Sequence, residues 1–319
     1  MKDKYTGCLL GLGVGDALGA AVEFLSLERI KDTYGDSGIE DFDQWDGFEA
    51  GSYTDDTQMA VATARGLIRF AEKRDRKDVR EPALLIYREY LKWLETQDDP
   101  PQVRRPGKTC LSALRSGKKG TLKKPINDSK GCGGVMRVAP VGLAFSGANA
   151  FYIGAKTAAL THGNASGYLS AGFLAELIGY LIESRNLRES IKRVRKTLFL
   201  YTGHEETLEK VDLALRLAED RESIEEGIKT LGEGWLGEEA LAVSLFCSLM
   251  YEDDFSGGIK AAVNHSGDSD STGAVTGAVL GAKLGVMAIP ENWLEKLENR
   301  EMIRKLSQEI YQVFSESKN

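Results

Sequence analysis

The chain has 319 residues, 42% hydrophobic and 28% charged, which is enough apolar content for a sizeable core and too much for disorder to be the default. Its 41 Lys and Arg against 48 Asp and Glu give a formal charge of −7. That balance argues against general nucleic-acid binding or attachment to acidic membranes, both of which need a basic footprint, but it leaves room for a small anionic ligand held by a few donors in one pocket.

In chain order, Met1-Lys2-Asp3-Lys4 precedes an apolar run that Asp16 and Glu23 interrupt, with no convincing small-residue cleavage site, so it is not read as a secretory signal. Within that run Gly7, Gly11, Gly15 and Gly19 recur every four residues, and the next step of the row is Glu23. On a helix such a row is one ridge without side chains. Each glycine costs a helix interior roughly 1 kcal/mol relative to alanine, so the row needs a reason. Close helix packing alone is one reason; packing that also gathers the flanking acids is another. Gly51-Ser52-Tyr53-Thr54-Asp55-Asp56-Thr57-Gln58 follows, directly before an amphipathic stretch. One acid there would be an ordinary helix cap, whereas two acids flanked by hydroxyls exceed what a cap needs.

Apolar residues at three- and four-residue intervals predict helices over Thr57–Phe70 and Glu81–Leu94. Gln97–Lys130 reads as a basic loop enclosing a short helix near Cys110–Arg115. Ser129-Lys130-Gly131-Cys132-Gly133-Gly134-Val135-Met136-Arg137 then combines glycines, a hydroxyl and a cation before a helix. That composition suits a diphosphate cradle, or a plain loop-to-helix turn with Arg137 as a structural ion-pair partner. His162 lies near an apparent helix start and could touch a ligand. Further helices are predicted over Tyr168–Ile182, Leu208–Ala218, Glu238–Met250 and Met302–Phe314.

Between the last two, Asn264-His265-Ser266-Gly267-Asp268-Ser269-Asp270-Ser271-Thr272-Gly273 opens a second glycine ridge, Gly273, Gly277, Gly281 and Gly285. The run Ala274 to Ile289 carries Lys283 and is too short and glycine-rich for a good membrane span. Sustained two-residue alternation is hard to find, the chain holds only seven prolines, and no long linker divides it. We therefore expect one all-α domain over residues 1–319, cytoplasmic, monomeric and without a membrane partner. Cys8, Cys110, Cys132 and Cys247 share no metal-binding spacing and are expected as reduced thiols.

The two acid-hydroxyl clusters suit hard divalent ions, which take carboxylate, hydroxyl and water oxygens. Three look-alikes are set aside. Asp268-x-Asp270-x-Thr272-Gly273 begins like a calcium-binding EF-hand loop, but Val279 stands where the bidentate Glu is needed. It also mimics the Asp-x-Asp-x-Thr of haloacid-dehalogenase-type phosphatases, whose motif follows a buried strand near the start of a chain. Gly11-x-Gly13-x-Gly15 has neither the strand nor the spacing of a nucleotide fingerprint. The three histidines are too scattered for a zinc site: His204 sits among charged residues and is expected at the surface, and His265 is better placed to brace the second acid cluster than to ligate. No Gly-x-Ser-x-Gly elbow supports a serine triad.

Taken together, Gly15-Asp16-Ala17-Leu18-Gly19 with Glu23, Thr54-Asp55-Asp56-Thr57, Gly133-Gly134-Val135-Met136-Arg137, Leu160-Thr161-His162 and Gly267-Asp268-Ser269-Asp270-Ser271-Thr272-Gly273 resemble the ADP-ribosylglycohydrolases, whose bacterial prototype is the dinitrogenase-reductase-activating glycohydrolase. The resemblance runs in order over nearly the whole chain. It implies a compact orthogonal bundle of helices with a centre of two divalent cations, Mg²⁺ or Mn²⁺. By matching motifs, Thr54, Asp55 and Asp56 would ligate on one side and Asp268, Asp270 and Ser271 on the other, with Glu23 a further ligand or gate. Ser129, Lys130 and Gly131 would hold a diphosphate, and Gly133, Met136 and His162 would line the ribose side. Relatives often carry Asn at Cys132 and Thr at Ser271. The implied substrate is ADP-ribose on a protein or small molecule, with Asp55, Asp56 or Glu23 moving the proton. The aglycone could be N-linked arginine or an O-linked group such as serine or acetate. A non-catalytic ADP-ribose binder and a phosphatase cutting the diphosphate are the alternatives from other classes.

Overall fold

A computed structural model of the protein describes residues 1–73, 81–183 and 186–315. The first glycine row lies on α1 (Lys2–Gly19), followed by α2 (Leu27–Tyr34), α3 (Asp55–Lys73), α4 (Pro82–Thr96) and α5 (Lys108–Arg115). The middle of the chain forms α6 (Ala139–Ala144), α7 (Gly147–Ala159), α8 (Ala165–Glu183), α9 (Leu187–Leu198), α10 (Glu205–Glu219) and α11 (Ile224–Leu231). The rest is α12 (Gly237–Met250), α13 (Phe255–Val263), α14 (Ser269–Leu284), α15 (Glu291–Lys296) and α16 (Arg300–Ser315). Among the described residues there is no β-strand, only isolated bridges such as Gly131 with Leu236. The fold is all-α, as the periodicity predicts; five of the six predicted helices lie within α3, α8, α10, α12 and α16, and the sixth, Glu81–Leu94, begins one residue ahead of α4.

The two glycine ridges pack on each other. Gly7 faces Gly281, Gly11 faces Gly277 and Gly15 faces Gly273, an order that makes α1 and α14 antiparallel. A Cβ on Gly15 would lie 1.9 Å from the Gly273 carbonyl oxygen, and one on Gly273 would lie 2.3 Å from that of Gly15. No side chain fits at such a separation, so the glycines let the two backbones touch and make up for their poor helix propensity by packing. The antiparallel arrangement sets the end of α1 beside the start of α14. Glu23, one turn beyond α1, thereby meets Asp268 and Asp270: one carboxylate oxygen from each lies within 4.8 Å of the others. The ridges thus bring the flanking acids together as well as packing the helices.

Around this pair the apolar side chains form a contiguous buried cluster that takes in α3, α6, α8, α12 and α16. Helix α8 is long and apolar enough to cross a membrane, but 83% of its apolar window is buried, packed against α6, α7, α9, α12 and α14. Its apolarity serves the interior.

Candidate active site

The start of α3 is capped from a distance. Asp16, fully buried on α1, accepts from the Thr54 N–H (2.8 Å), the Thr57 N–H (2.8 Å) and the Thr57 hydroxyl (2.5 Å). These donors would otherwise be orphans of the first helical turn. Because Asp16 does the capping, Asp55 and Asp56 are released from it. The Asp55 N–H donates to the Arg104 carbonyl, and Asp55 Oδ2 accepts a long bond from the Gly107 N–H at 3.3 Å. Asp56 Oδ2 is buried with no hydrogen-bond partner. Buried polar oxygens are rarely left so, and an unpartnered carboxylate oxygen is available to a cation or a donor. Thr54 is buried too, and its Oγ1 accepts from the Asp56 N–H.

Asp268 and Asp270 are presented by the first turn of α14. The chain reaches it through Gly267, held at φ 135°, where a Cβ would lie 2.1 Å from the Glu233 carbonyl oxygen. The Asp268 N–H donates to that same carbonyl, and Asp270 Oδ1 accepts from the Ser271 N–H. His265 bonds Thr272 Oγ1 (2.8 Å) and the Ser266 carbonyl (3.0 Å), so it braces the start of α14 and does not line the cavity. Glu23 is paired with Arg105 at 3.0 Å, and Arg105 also holds Asp46 and the Ala20 carbonyl. The 104–109 loop is fastened across the site by Arg104, which pairs with Glu298 and donates to the Tyr53 carbonyl.

These acids line one cavity of about 440 Å³, together with Ser271, Met136, His162, Gly131, Cys132 and Gly133. That volume suits a ligand of nucleotide size. A second concavity of about 420 Å³ lies against another face of α3, but its carboxylates, Glu89 and Glu298, are already paired with Arg or Lys. In the first cavity the charge is not balanced. Among the described residues no Lys, Arg or His pairs with Asp55, Asp56, Asp268 or Asp270, all nearly inaccessible to solvent. Ionised, these four carboxylates would carry the charge that two divalent cations neutralise, so the donor set fits the expected pair of ions. Burial, followed by the charge of Asp270, raises Asp55, Asp56 and Asp268 well above the carboxylate range and pushes Glu23 up to about 11 against the pull of Arg105. The same two causes push Asp16 up to about 7, with its three donors opposing.

The opposite wall is built from the glycine-rich segment. Gly133 must be small, because a Cβ there would sit 2.8 Å from the His162 ring and 2.9 Å from Cys110 Sγ. Burial, with the charge of Arg137 second, lowers His162 to about 3, so the ring is neutral. Arg137 is fully buried: its Nη2 donates to Thr161 Oγ1 (2.6 Å) and its guanidinium lies over the Tyr90 ring. Thr161 Oγ1 lies 2.8 Å from His162 Nδ1, and Nε2 lies on the edge facing Gly131 and Gly133. At the cavity mouth Phe24 stacks on Trp235 with ring centroids 5.3 Å apart, held at a strained φ of 68°.

Of the residues singled out in the sequence, Glu23, Asp55, Asp56, Asp268, Asp270, Ser271, Gly131, Gly133, Met136 and His162 share this cavity. Thr54, Ser129 and Lys130 do not line it. Lys130 Nζ is bound to Glu206 at 2.6 Å, and Ser129 Oγ bonds Thr109 Oγ1 and the Gly131 N–H. The sequence reading gave no role to Asp16, Arg105, Phe24 or Trp235. Asp16 carried a signal, being a lone acid inside an apolar helix; the other three are gathered only by the fold.

An all-helical protein with a ligand-sized cavity floored by carboxylates able to hold metal ions is the class that fold and site define. Residues 1–319 match the ADP-ribosylglycohydrolase family, and the chain belongs to it. It is 31% identical to an uncharacterised protein of Archaeoglobus fulgidus over 98% of this chain and 97% of that one. It is 28% identical to the ADP-ribosyl-[dinitrogen reductase] glycohydrolase of Rhodospirillum rubrum over 93% and 91%, and 26% identical to an ADP-ribosylarginine hydrolase of Serratia proteamaculans over 98% and 80%. The solved structure of an ADP-ribosylglycohydrolase-related protein complex aligns at a TM-score of 0.74, with 26% identity and 98% of both chains covered.

Proposed function

We propose that the protein is a metal-dependent hydrolase that releases ADP-ribose from an N-glycosidic ADP-ribosyl-arginine. The observation that carries this reading is the set of four unpaired buried carboxylates, with an orphaned Asp56 oxygen, on the floor of a nucleotide-sized cavity. Two divalent cations, Mg²⁺ or Mn²⁺, bound there would polarise ribose hydroxyls and acidify a water. Glu23, Asp268 and Asp270 would hold on one side and Asp55 and Asp56 on the other. The chain's own groups do the rest. His162, held neutral by burial, presents Nε2 to the ligand, and Gly131 and Gly133 let the ligand approach the backbone. The first residues of α5, Lys108 and Thr109, line the same cavity and add helix N-terminal N–H groups that suit a phosphate. Asp55 or Asp56 takes the proton of the water as it attacks the anomeric carbon, and the departing guanidine nitrogen is protonated in turn.

The arginine linkage is supported by the rim, where Phe24 is 62% exposed and stacks on Trp235 beside Glu23. A guanidinium leaving group stacks well on aromatic faces, as the Arg105 guanidinium does 5.5 Å from the Phe24 ring centroid. The ADP-ribosylarginine hydrolase among the relatives supports it as well. The test is incubation with ADP-ribosyl-arginine in Mg²⁺, Mn²⁺ or EDTA, separating ADP-ribose from AMP by chromatography, with serine-linked and O-acetyl substrates in parallel. Release of ADP-ribose that EDTA abolishes, and that falls at least about 100-fold in Asp56→Asn and Asp268→Asn, is expected. AMP as product, or release indifferent to EDTA, would refute the reading; faster turnover of an O-linked substrate would refute the linkage.

A further inference from the structure

Behind the glycine-rich wall of the cavity lies a cation with no carboxylate to answer it. Arg137 is fully buried, its Nε has no hydrogen-bond partner, and its Nη1 donates to two sulfurs, Met59 Sδ at 3.2 Å and Cys110 Sγ at 3.3 Å. Its shortest hydrogen bond, 2.6 Å, runs from Nη2 to Thr161 Oγ1. Among the described residues no acid pairs with it, although a buried arginine is ordinarily paired. We propose that Arg137 is a positioning residue for the ligand-facing wall: through Thr161 it fixes the His162 imidazole with its Nε2 edge toward the cavity. The proposal rests on the reading that this cavity takes ADP-ribose.

Sulfur is a weak acceptor, and the Tyr90 ring, 4.4 Å from the guanidinium carbon, offers only its π face. The Thr161 oxygen therefore takes the strongest bond this charge makes, and a charged donor holds the hydroxyl firmly. That hydroxyl lies 2.8 Å from His162 Nδ1. The backbone of the same turn is held by other groups. Asn127 Nδ2 donates to the Thr161 carbonyl at 2.7 Å, the Gly163 N–H donates to Asn127 Oδ1 at 2.9 Å, and the His162 N–H donates to the Ala158 carbonyl at 3.0 Å. What Arg137 adds is the direction of a ring. On its far edge the ring abuts Gly133, where a Cβ would lie 2.8 Å from Cε1 and 3.1 Å from Nε2, so it is held on both sides. A charge suits this post better than a neutral donor. A protonated His162 would be drawn toward Asp55, Asp56 and Asp268, which line the same cavity, and would fill the space of the ligand. The Arg137 charge adds to burial in disfavouring that proton.

The test measures ADP-ribose binding to the full-length chain by calorimetry in Mg²⁺, and records the imidazole ¹⁵N resonances of its three histidines without ligand. His162→Ala identifies the resonances of that ring. Thr161→Val keeps the shape and breaks the link, so ADP-ribose affinity should fall about 10-fold, the worth of one hydrogen bond. Thr161→Ser, which keeps the hydroxyl, should restore it. In the His162→Ala background Thr161→Val should cost nothing further, because the two act as one unit. Arg137→Met removes the charge and keeps the length; it should weaken ADP-ribose as Thr161→Val does, and His162 should then take up a proton at a higher pH than in the wild type. The Thr161 pair carries the test should Arg137→Met fail to fold. Wild-type affinity in Thr161→Val, or losses in Thr161→Val and His162→Ala that simply add, would overturn the positioning role and leave the ADP-ribose reading standing. A wild type that does not bind ADP-ribose would overturn that reading. The ligand-free spectra decide the link by themselves: His162 resonances unmoved by Thr161→Val would overturn it.

Discussion

Gly15→Ala tests whether the glycine ridges build the site. The new Cβ would lie 1.9 Å from the Gly273 carbonyl oxygen and 2.3 Å from its carbon, both backbone atoms that cannot rotate away. Overpacking costs about 1–3 kcal/mol, and a rigid neighbour puts this case at the upper end. Alanine recovers about 1 kcal/mol of helix propensity, so the net loss is about 2 kcal/mol. With an unfolding entropy of about 2.1 cal/mol/K per residue over 319 residues, each kcal/mol moves the melting point by about 1.5 °C, which gives a fall of about 3 °C. Two companion variants separate packing from site assembly. Gly7→Ala meets the Gly281 carbonyl oxygen at 2.5 Å and should lose similar stability. It lies eight residues from Gly15, about 12 Å along the axis and farther from the acids, so it should retain metal affinity. Gly13→Ala meets only the side chains of Ile303 and Leu297, at 3.4 and 3.5 Å, and should gain up to about 1.5 °C. The assay is thermal melting without metal, then calorimetric titration with Mn²⁺. Only Gly15→Ala should weaken the metal, by about 10-fold, because it parts Glu23 from Asp268 and Asp270. If Gly15→Ala melts like Gly13→Ala and binds Mn²⁺ like the wild type, the account of the ridges is wrong.

Two further outcomes follow from the same geometry. Asp16→Asn keeps the shape but leaves one oxygen to serve the Thr54 and Thr57 N–H groups, so one buried donor goes unpaired at a cost of about 1–3 kcal/mol. Since that turn carries Asp55 and Asp56, Mn²⁺ affinity should fall as well; a variant that binds metal normally would show that Asp16 does not position them. The raised carboxylates also set a pH dependence. Their folded values lie above their unfolded ones, so their stabilising contribution is full below about pH 4 and is lost as pH rises through about 7 for Asp16 and about 11 for Glu23. Bound metal displaces the protons and removes the repulsion, so its stabilising effect should be larger at pH 8.5 than at pH 6 (both about), with protons released on binding. A gain that shrinks as pH rises would contradict this.

Much of the protein was legible in one dimension. The three- and four-residue periodicity of Thr57–Phe70 or Met302–Phe314 reports a helix with one wet and one buried face, and the structure has helices there. The glycine rows likewise announce a ridge: seven of the eight lie on α1 or α14, while Gly285 ends α14 at φ 86°. Helices such as α7 and α13 were harder to read, because glycine, alanine and serine fill many of their positions and blur the contrast between faces. The acid clusters were visible as residue types flanked by hydroxyls. What the chain order could not contain was their meeting: residues 23, 55 and 268 come together only because α1 and α14 run antiparallel at backbone contact and Asp16 reaches across to cap α3. The same holds for what each side chain faces. Lys130, a cation beside a glycine loop, turns out to be bound to Glu206, while Cys132, read only as a reduced thiol where relatives often carry Asn, lies against Asp268. Sequence determines which groups are available and which helices carry them, because those depend on local spacing. The direction of a loop side chain, and the burial that moves a carboxylate far from its ordinary pKa, belong to the tertiary structure, because both are set by atoms distant in sequence.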